Sequence, residues 1–335
     1  MEKKMICFGC RGYELPYFKQ LGEKYGYELV TRPEYLNNDN YELALGYENV
    51  MIRGNCVVDR EHLAKLKEAG LKYYLTRTAG YNHVDVQACK DLGIETAFVP
   101  GYSPNAISEL ALTLTMMLLR HTAYATSLSH EGHFKVTDTM FSKEIRDCTV
   151  GVLGCGRIGR VTASLFKGLG AKAIGYDVFV SPACEGLIEM KKTPDEVMKE
   201  ADVVVCHMAY VKGKNDKFIS KELIGEMKEG AILVNVARGE VMDNLAALEA
   251  VKEGKLGGLG LDVIDNEKVL FNKDHDPKAM PNEEDQLIVD LYPRVLITPH
   301  LGSATEHALI DMIEITLQNM EEYRLTGKCK NSLIK

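Results

Sequence analysis

The chain reads as an α/β protein built on parallel sheets with helices against their faces. Two observations carry that reading. Short β-rich runs alternate with helical runs along most of the 335 residues. One of those runs, "TVGVLG" at 149–154, also leads through a glycine-rich turn into an amphipathic helix. Alternation of this kind gives a parallel sheet, because each strand regains the same edge only through a crossover. The length implies about two domains.

The first alternation occupies residues 1 to 101. "KMICFG" at 4–9 reads as a strand, "LPYFKQLGEKYG" at 15–26 as a helix, and "YELVTR" and "NVMIRG" as further strands. "DREHLAKLKEAG" is a helix that stops at Gly70, a residue that tolerates the left-handed conformation ending many helices. "KYYLTRTAG" and "IETAFVP" are strands on either side of the helix "VDVQACKDLG". Then comes "SPNAISELALTLTMMLLRHT". Ser103 stands as an N-cap, with proline at the first helical position. This apolar helix reads as a connector between domains. From about residue 148 a second alternation supplies "CTVGVLG", "AKAIGYD", "ADVVVCH", "AILVNVA", "LGGLGLDV" and "RVLITPH". A last helix over 304–327 ends at Gly327, and the polar stretch 265–287 is expected to be an exposed loop.

Composition excludes several classes. Apolar residues make up 46% and charged residues 26%, as in a soluble globular protein with a sizeable core. A net charge of −8 with no basic block argues against a nucleic-acid partner. No stretch is long and apolar enough for a membrane span or an export signal. Nine scattered cysteines then read as reduced thiols of a cytoplasmic protein. Cys7 and Cys10 form a C-x-x-C, but no second pair or nearby histidines complete a zinc site, so no metal is expected. His130 and His133 read as part of a solvated segment.

Gly154, Gly156 and Gly159 fit G-x-G-x-x-G in its proper setting, after a strand and opening a helix. The first glycine allows the tight turn, the second lets the backbone approach a pyrophosphate, and the third lets helix and strand pack closely. The amides of Arg157, Ile158 and Gly159 at the helix start add the positive end of the dipole. The next strand ends in Asp177, which suits the ribose hydroxyls of NAD and repels the 2′-phosphate of NADP. Three later strands release Arg238, then Asp262 and Glu267, then His300. Ligands sit at the carboxyl ends of strands in an open parallel sheet, so these side chains are expected at the edge holding NAD. Each has a structural alternative: a helix-end ion pair for Arg238, a solvated carboxylate for Glu267, a helix cap for His300.

These residues carry a resemblance. In order and spacing, "RTAG", "VPGYSPNAISELA", "VGVLGCGRIGR", "NVARGE", "LDVIDNE" and "ITPHLGS" resemble the D-2-hydroxyacid dehydrogenase family across almost the whole chain. The resemblance implies two Rossmann-like, doubly wound parallel-sheet domains. An NAD-binding Rossmann domain (102–300) is inserted into a split, flavodoxin-like substrate domain (1–101 plus 301–335). It implies reversible hydride transfer between NADH and a 2-oxo acid, and a homodimer supported by the helix at 103–123 and its neighbours. Arg238 holds and polarises the substrate, His300 exchanges the proton, and Glu267 pairs with His300. The backbone amides of Ala79 and Gly80 bind the substrate carboxylate. Tyr102 lines the pocket, Asp262 places the nicotinamide or orients the site, and Ala237 and His207 contact the cofactor. Many members have proline two residues beyond the histidine matching His207; this chain has Ala209, which puts that contact in question.

Arg53, in "VMIRGN", follows a strand of the substrate domain and could meet the far carboxylate of a dicarboxylate. The 2-hydroxyglutarate branch has arginine at the matching place, and "RGNC", "LLRHTAY" and "FSKEIRDCTVGV" also resemble that branch. The expected substrate pair is therefore 2-oxoglutarate/(R)-2-hydroxyglutarate, with D-lactate or a branched or aromatic 2-hydroxy acid as the alternative. A function of another class, an NAD-sensing corepressor-like binding protein, is also compatible with these motifs.

Overall fold

The computed structural model describes residues 3–265 and 267–334. The chain separates into two compact units, Met1–Ser103 with Ala304–Lys335, and Pro104–Ser303. The sequence reading put these boundaries at 101/102 and 300/301, so Tyr102 falls in the first unit rather than the second.

In chain order, the first unit opens with β1 (Lys4–Cys7), α1 (Leu15–Tyr25), β2 (Glu28–Thr31), β3 (Asn49–Ile52), α2 (Arg60–Glu68), β4 (Tyr73–Thr76) and α3 (Val86–Leu92). The strands form a parallel sheet in the order β2-β1-β3-β4. Residues 94–99, expected as a strand, make only isolated bridges, to Tyr73 and to Ser332. They still extend the sheet edge, since Tyr74 and Thr76 donate backbone hydrogen bonds to the carbonyls of Glu95 and Ala97.

The second unit contains α4 (Pro104–Leu119), α5 (Thr122–His130), β5 (Thr149–Leu153), α6 (Arg157–Gly168), β6 (Lys172–Tyr176), β7 (Glu189–Met190), α7 (Pro194–Glu200), β8 (Val203–Cys206), α8 (Lys221–Gly225), β9 (Ala231–Asn235), α9 (Asn244–Lys252), β10 (Leu256–Leu261), α10 (Glu267–Leu270), α11 (Glu283–Asp290) and β11 (Val295–Ile297). Its seven strands are all parallel, in the order β11-β10-β9-β8-β5-β6-β7. The chain runs outward from β5 through β6 to β7, then returns to β8 on the other side of β5. The switch point of the sheet therefore lies between β5 and β8, where such sheets bind ligands. The stretch 265–287, expected as a loop, carries α10 and the start of α11.

The apolar run of α4, which starts at the boundary between the units, serves the core of the second one. Ala111, Leu114 and Leu118 are buried within the second unit, where α4 packs on α6, β9 and β10. Gly258 and Gly260 of β10 make room for Leu118 and Leu114. The last helix, α12 (Glu306–Thr326), belongs to the first unit. Leu309, Ile313, Leu317 and Met320 share a core with Met5, Phe18 and Leu75, and the Tyr323 hydroxyl donates to the Thr96 carbonyl at 3.1 Å. No described helix is long and apolar enough to cross a membrane. All nine cysteines are free thiols, and no cluster of metal-ligating side chains occurs among the described residues.

Candidate active site

The glycine turn sits at the switch point. Gly154 has φ +90°, a conformation that disfavours a side chain, and a Cβ there would press on the backbone of His207 and Met208 at 2.8 Å. At Gly159 a Cβ would overlap the Gly154 carbonyl, whereas the space over Gly156 is open. α6 starts at its N-cap Gly156 without a side-chain cap, leaving its first amides available to an anion. The Asp177 carboxylate accepts from the amides of Cys155 at 2.7 Å and Phe179 at 3.0 Å. Each oxygen keeps a further lone pair for a ribose hydroxyl. An open second glycine, uncapped amides and a poised carboxylate fit a dinucleotide.

Two residues beside the turn are set by their packing. Cys155 is buried, its Sγ occupies the space over Gly175 where a Cβ would come within 2.6 Å, and burial pushes its thiol up to about 12. A thiol so rarely ionised is a poor nucleophile. His207, expected to contact the cofactor, is half-buried, and desolvation of its ring pushes its pKa down to about 3. Its Nε2 lies 2.7 Å from Thr162 Oγ1, which donates to Ser108 Oγ, which donates to the Ile158 carbonyl. With both hydroxyl protons used, Nε2 must carry the hydrogen. His207 thus braces the first turn of α6 from within.

Arg238, Asp262 and His300 follow β9, β10 and β11, which are adjacent in the sheet. The Asn235 side chain pins the first of these turns. It accepts from Ala237 N at 3.1 Å and donates to the Arg238 carbonyl at 2.9 Å. This buried asparagine was missed in the sequence reading, although an Asn two residues before a turn amide is a recognisable signal. The Arg238 guanidinium donates to the Ala237 carbonyl at 2.6 Å. Glu267 opens α10, and its Oε2 lies 3.0 Å from His300 Nδ1. The pair is partly exposed, with 44% of the His300 side chain open to solvent. His300 itself has φ +55°, uncommon for a residue with a side chain.

Asp262 has the geometry of the second of its two expected roles, orienting the site. It is 1% exposed, and its carboxylate is taken up by protein donors. Oδ1 accepts from Thr298 Oγ1 and from Leu301 N, both at 2.6 Å, and Oδ2 accepts from Gly302 N at 2.8 Å. Burial raises its pKa against the opposing pull of those bonds. Asp262 therefore fixes the loop that carries His300. Thr298 escaped the sequence reading because nothing local marks it as this carboxylate's donor.

In the first unit Arg53 is not a lone cation. Its Nη1 lies 3.2 Å from Glu14 Oε1, and the buried Arg77 donates to Glu14 Oε2 at 2.8 Å. Arg53 keeps 19% side-chain exposure. Burial, followed by the charges of Arg77 and Arg11, lowers its pKa. Ala79 and Gly80 follow β4 and Tyr102 precedes α4; all three are partly buried.

A family model described as "D-isomer specific 2-hydroxyacid dehydrogenase, NAD binding domain" matches residues 112–302. The chain belongs to the D-isomer specific 2-hydroxyacid dehydrogenase family. An aromatic 2-oxoacid reductase of Clostridium sporogenes is 39% identical over 334 residues, with 99% of each chain covered. A D-lactate dehydrogenase of Lactiplantibacillus plantarum is 35% identical, with 97% of each covered. Among solved structures, a D-2-hydroxyisocaproate dehydrogenase superposes with a TM-score of 0.90 at 30% identity, covering 99% of this chain and 100% of that one. The NAD-complexed D-isomer specific 2-hydroxyacid dehydrogenase of Lactobacillus delbrueckii superposes with a TM-score of 0.86 at 30% identity, covering 98% and 99%. The protein is an NAD-dependent D-2-hydroxyacid dehydrogenase with the two parallel-sheet domains of that family.

Proposed function

We propose that the enzyme reduces 2-oxoglutarate to (R)-2-hydroxyglutarate, and that Arg238, His300 and Glu267 form its catalytic group. NADH supplies the hydride to the substrate C2. Arg238 offers a rigid fork of donors to the substrate's carboxylate and carbonyl oxygen, orienting C2 and drawing electron density from it. Glu267 at 3.0 Å from Nδ1 favours a hydrogen on that nitrogen, which leaves Nε2 to give its proton to the carbonyl oxygen and to recover one in the reverse direction. The amides of Ala79 and Gly80 and the Tyr102 side chain are assigned to the substrate. Gly154, Gly156, Arg157, Ile158, Gly159, Asp177 and Ala237 are assigned to NAD.

The observation supporting a dicarboxylate is the charge at the carboxyl edge of the first-unit sheet. Arg53 and Arg77 both contact the Glu14 carboxylate, and the charges of Arg77 and Arg11 act on Arg53. These cations outnumber that one carboxylate, and a second substrate carboxylate would offset part of the excess. The competing reading, an aromatic or branched 2-oxo acid, is favoured by the likeness to the clostridial reductase and by the neutralising contact Glu14 already makes to Arg53. Turnover of 2-oxoglutarate, pyruvate and phenylpyruvate decides between them. A preference for 2-oxoglutarate that disappears in Arg53→Ala supports the first reading. Preference for phenylpyruvate in the wild type refutes it.

We also propose a homodimer, through the stretch that follows α4 and α5. Phe134, Val136 and Phe141 are 79%, 88% and 89% exposed, an apolar stretch that a second copy would cover. Sedimentation of the wild type and of a triple serine variant tests this. A wild type that sediments as a monomer refutes it.

A further inference from the structure

We propose that His83 is a positioning residue for the substrate carboxylate, acting through a hydrogen-bond relay that ends on Gly80. The proposal rests on the assignment of the Ala79 and Gly80 amides to that carboxylate. Three contacts link the residues: His83 Nε2 lies 2.9 Å from Thr76 Oγ1, Thr76 Oγ1 lies 2.7 Å from Thr78 Oγ1, and Thr78 Oγ1 donates to the Gly80 carbonyl at 2.7 Å.

The direction of the relay follows from proton counting. A carbonyl oxygen only accepts, so the single Thr78 hydroxyl proton points at Gly80. Thr78 must then accept from Thr76, whose own proton is used in that bond. The remaining contact on Thr76 Oγ1 requires a donor, and His83 must supply it as Nε2–H. Three side chains from the end of β4 and the start of the next connection thus point one way, onto the backbone of the turn. Such chains strengthen their members and hold a single arrangement.

The surroundings make the relay stiff. Thr76 is fully buried. Its amide donates to the Ala97 carbonyl at 3.0 Å, and the Thr78 carbonyl accepts from Val99 N at 3.1 Å. The backbone under the two threonines is therefore tied to the 94–99 segment, and the hydroxyl network ties the turn beyond it. Gly80 has no side chain of its own to hold it, so its orientation depends on the bond its carbonyl accepts. Fixing that carbonyl fixes the adjoining peptide planes, which present the amides assigned to the carboxylate. Burial also holds the His83 pKa down, to about 4, so the ring is a neutral donor at neutral pH.

The test is steady-state kinetics with 2-oxo acid and NADH on His83→Leu, His83→Gln and Thr78→Val. Glutamine retains an Nε2 donor, leucine does not, and valine removes the last hydroxyl of the relay. The expected result for His83→Leu and Thr78→Val is a KM for the 2-oxo acid raised about tenfold, with kcat within about threefold, as for lost binding rather than lost chemistry. His83→Gln is expected to return KM to within about threefold of wild type. Binding of NADH, followed by its fluorescence, is expected to stay the same in all three. Unchanged KM in both His83→Leu and Thr78→Val overturns the proposal, and so does a glutamine variant that behaves like the leucine one. Backbone amide NMR of the wild type, titrated with whichever of 2-oxoglutarate, pyruvate and phenylpyruvate it turns over best, separates the two layers. Immobile Ala79 and Gly80 resonances remove the carboxylate assignment and the relay's purpose with it. Mobile resonances alongside unchanged variants remove the relay alone.

Discussion

Asp262→Asn is the substitution that most directly tests how the His300 loop is held. The exchange keeps size and shape but replaces one acceptor oxygen with an NH2. With the amide oxygen at Oδ1, the bonds from Thr298 and Leu301 survive, though to a neutral acceptor. At Oδ2 the Gly302 amide, now at 2.8 Å from a carboxylate oxygen, meets another donor. One charge-assisted bond, about 1.5–3 kcal/mol, is lost and two are weakened. Relief of the buried charge, which raises the Asp262 pKa, offsets part of this. The net cost to the loop is about 2–3 kcal/mol. That loop holds His300 at φ +55°, a conformation costing about 1–2 kcal/mol that relaxes once its anchor weakens. Displacing the imidazole by an ångström is worth roughly 10²-fold in rate. The expected outcome is kcat down about 10²-fold with NADH affinity little changed, measured by NADH oxidation and fluorescence titration. A kcat within about threefold of wild type would refute the reasoning that Asp262 sets the position of His300.

Three further outcomes are expected. Gly159→Ala forces a methyl against the Gly154 carbonyl, so α6 must move off the turn; stability falls by about 1–3 kcal/mol and the Kd for NADH rises, read by urea melts and titration. Arg238→Lys keeps the charge but loses the planar fork, and kcat/KM falls roughly 10²-fold or more while NADH binding holds. His207, pushed down to about 3 from 6.5 by burial, stays neutral when folded while the unfolded chain takes up a proton. Its stabilising contribution is therefore complete above pH 6.5 and is lost as pH falls from there toward about 3, at no more than about 1.4 kcal/mol per pH unit. His207→Gln, which retains the Nε2 donor, is expected to flatten the acid limb of a stability-versus-pH curve; an unchanged limb counts against this account.

The parts legible in the sequence were those whose signal is local. A buried parallel strand is a short apolar run whatever surrounds it, so β5, β6, β8, β9 and β10 were readable one by one. A glycine turn announces itself because the backbone needs missing side chains at fixed spacing, as the crowding at Gly154 and Gly159 bears out. Residues released at strand ends were also visible, because chain direction places every such end at the same sheet edge. Side-chain partners across long separations were not legible. Nothing in the sequence names Thr298 and Gly302 as the donors to Asp262, or Glu14 as the carboxylate 3.2 Å from Arg53. The apolar surface of α4 gave no indication of what covers it; β10 and α6 do. Periodicity and residue type dictate what an element is and which edge it serves. Which carboxylate meets which donor depends on distances set only when strands far apart in the chain pack side by side.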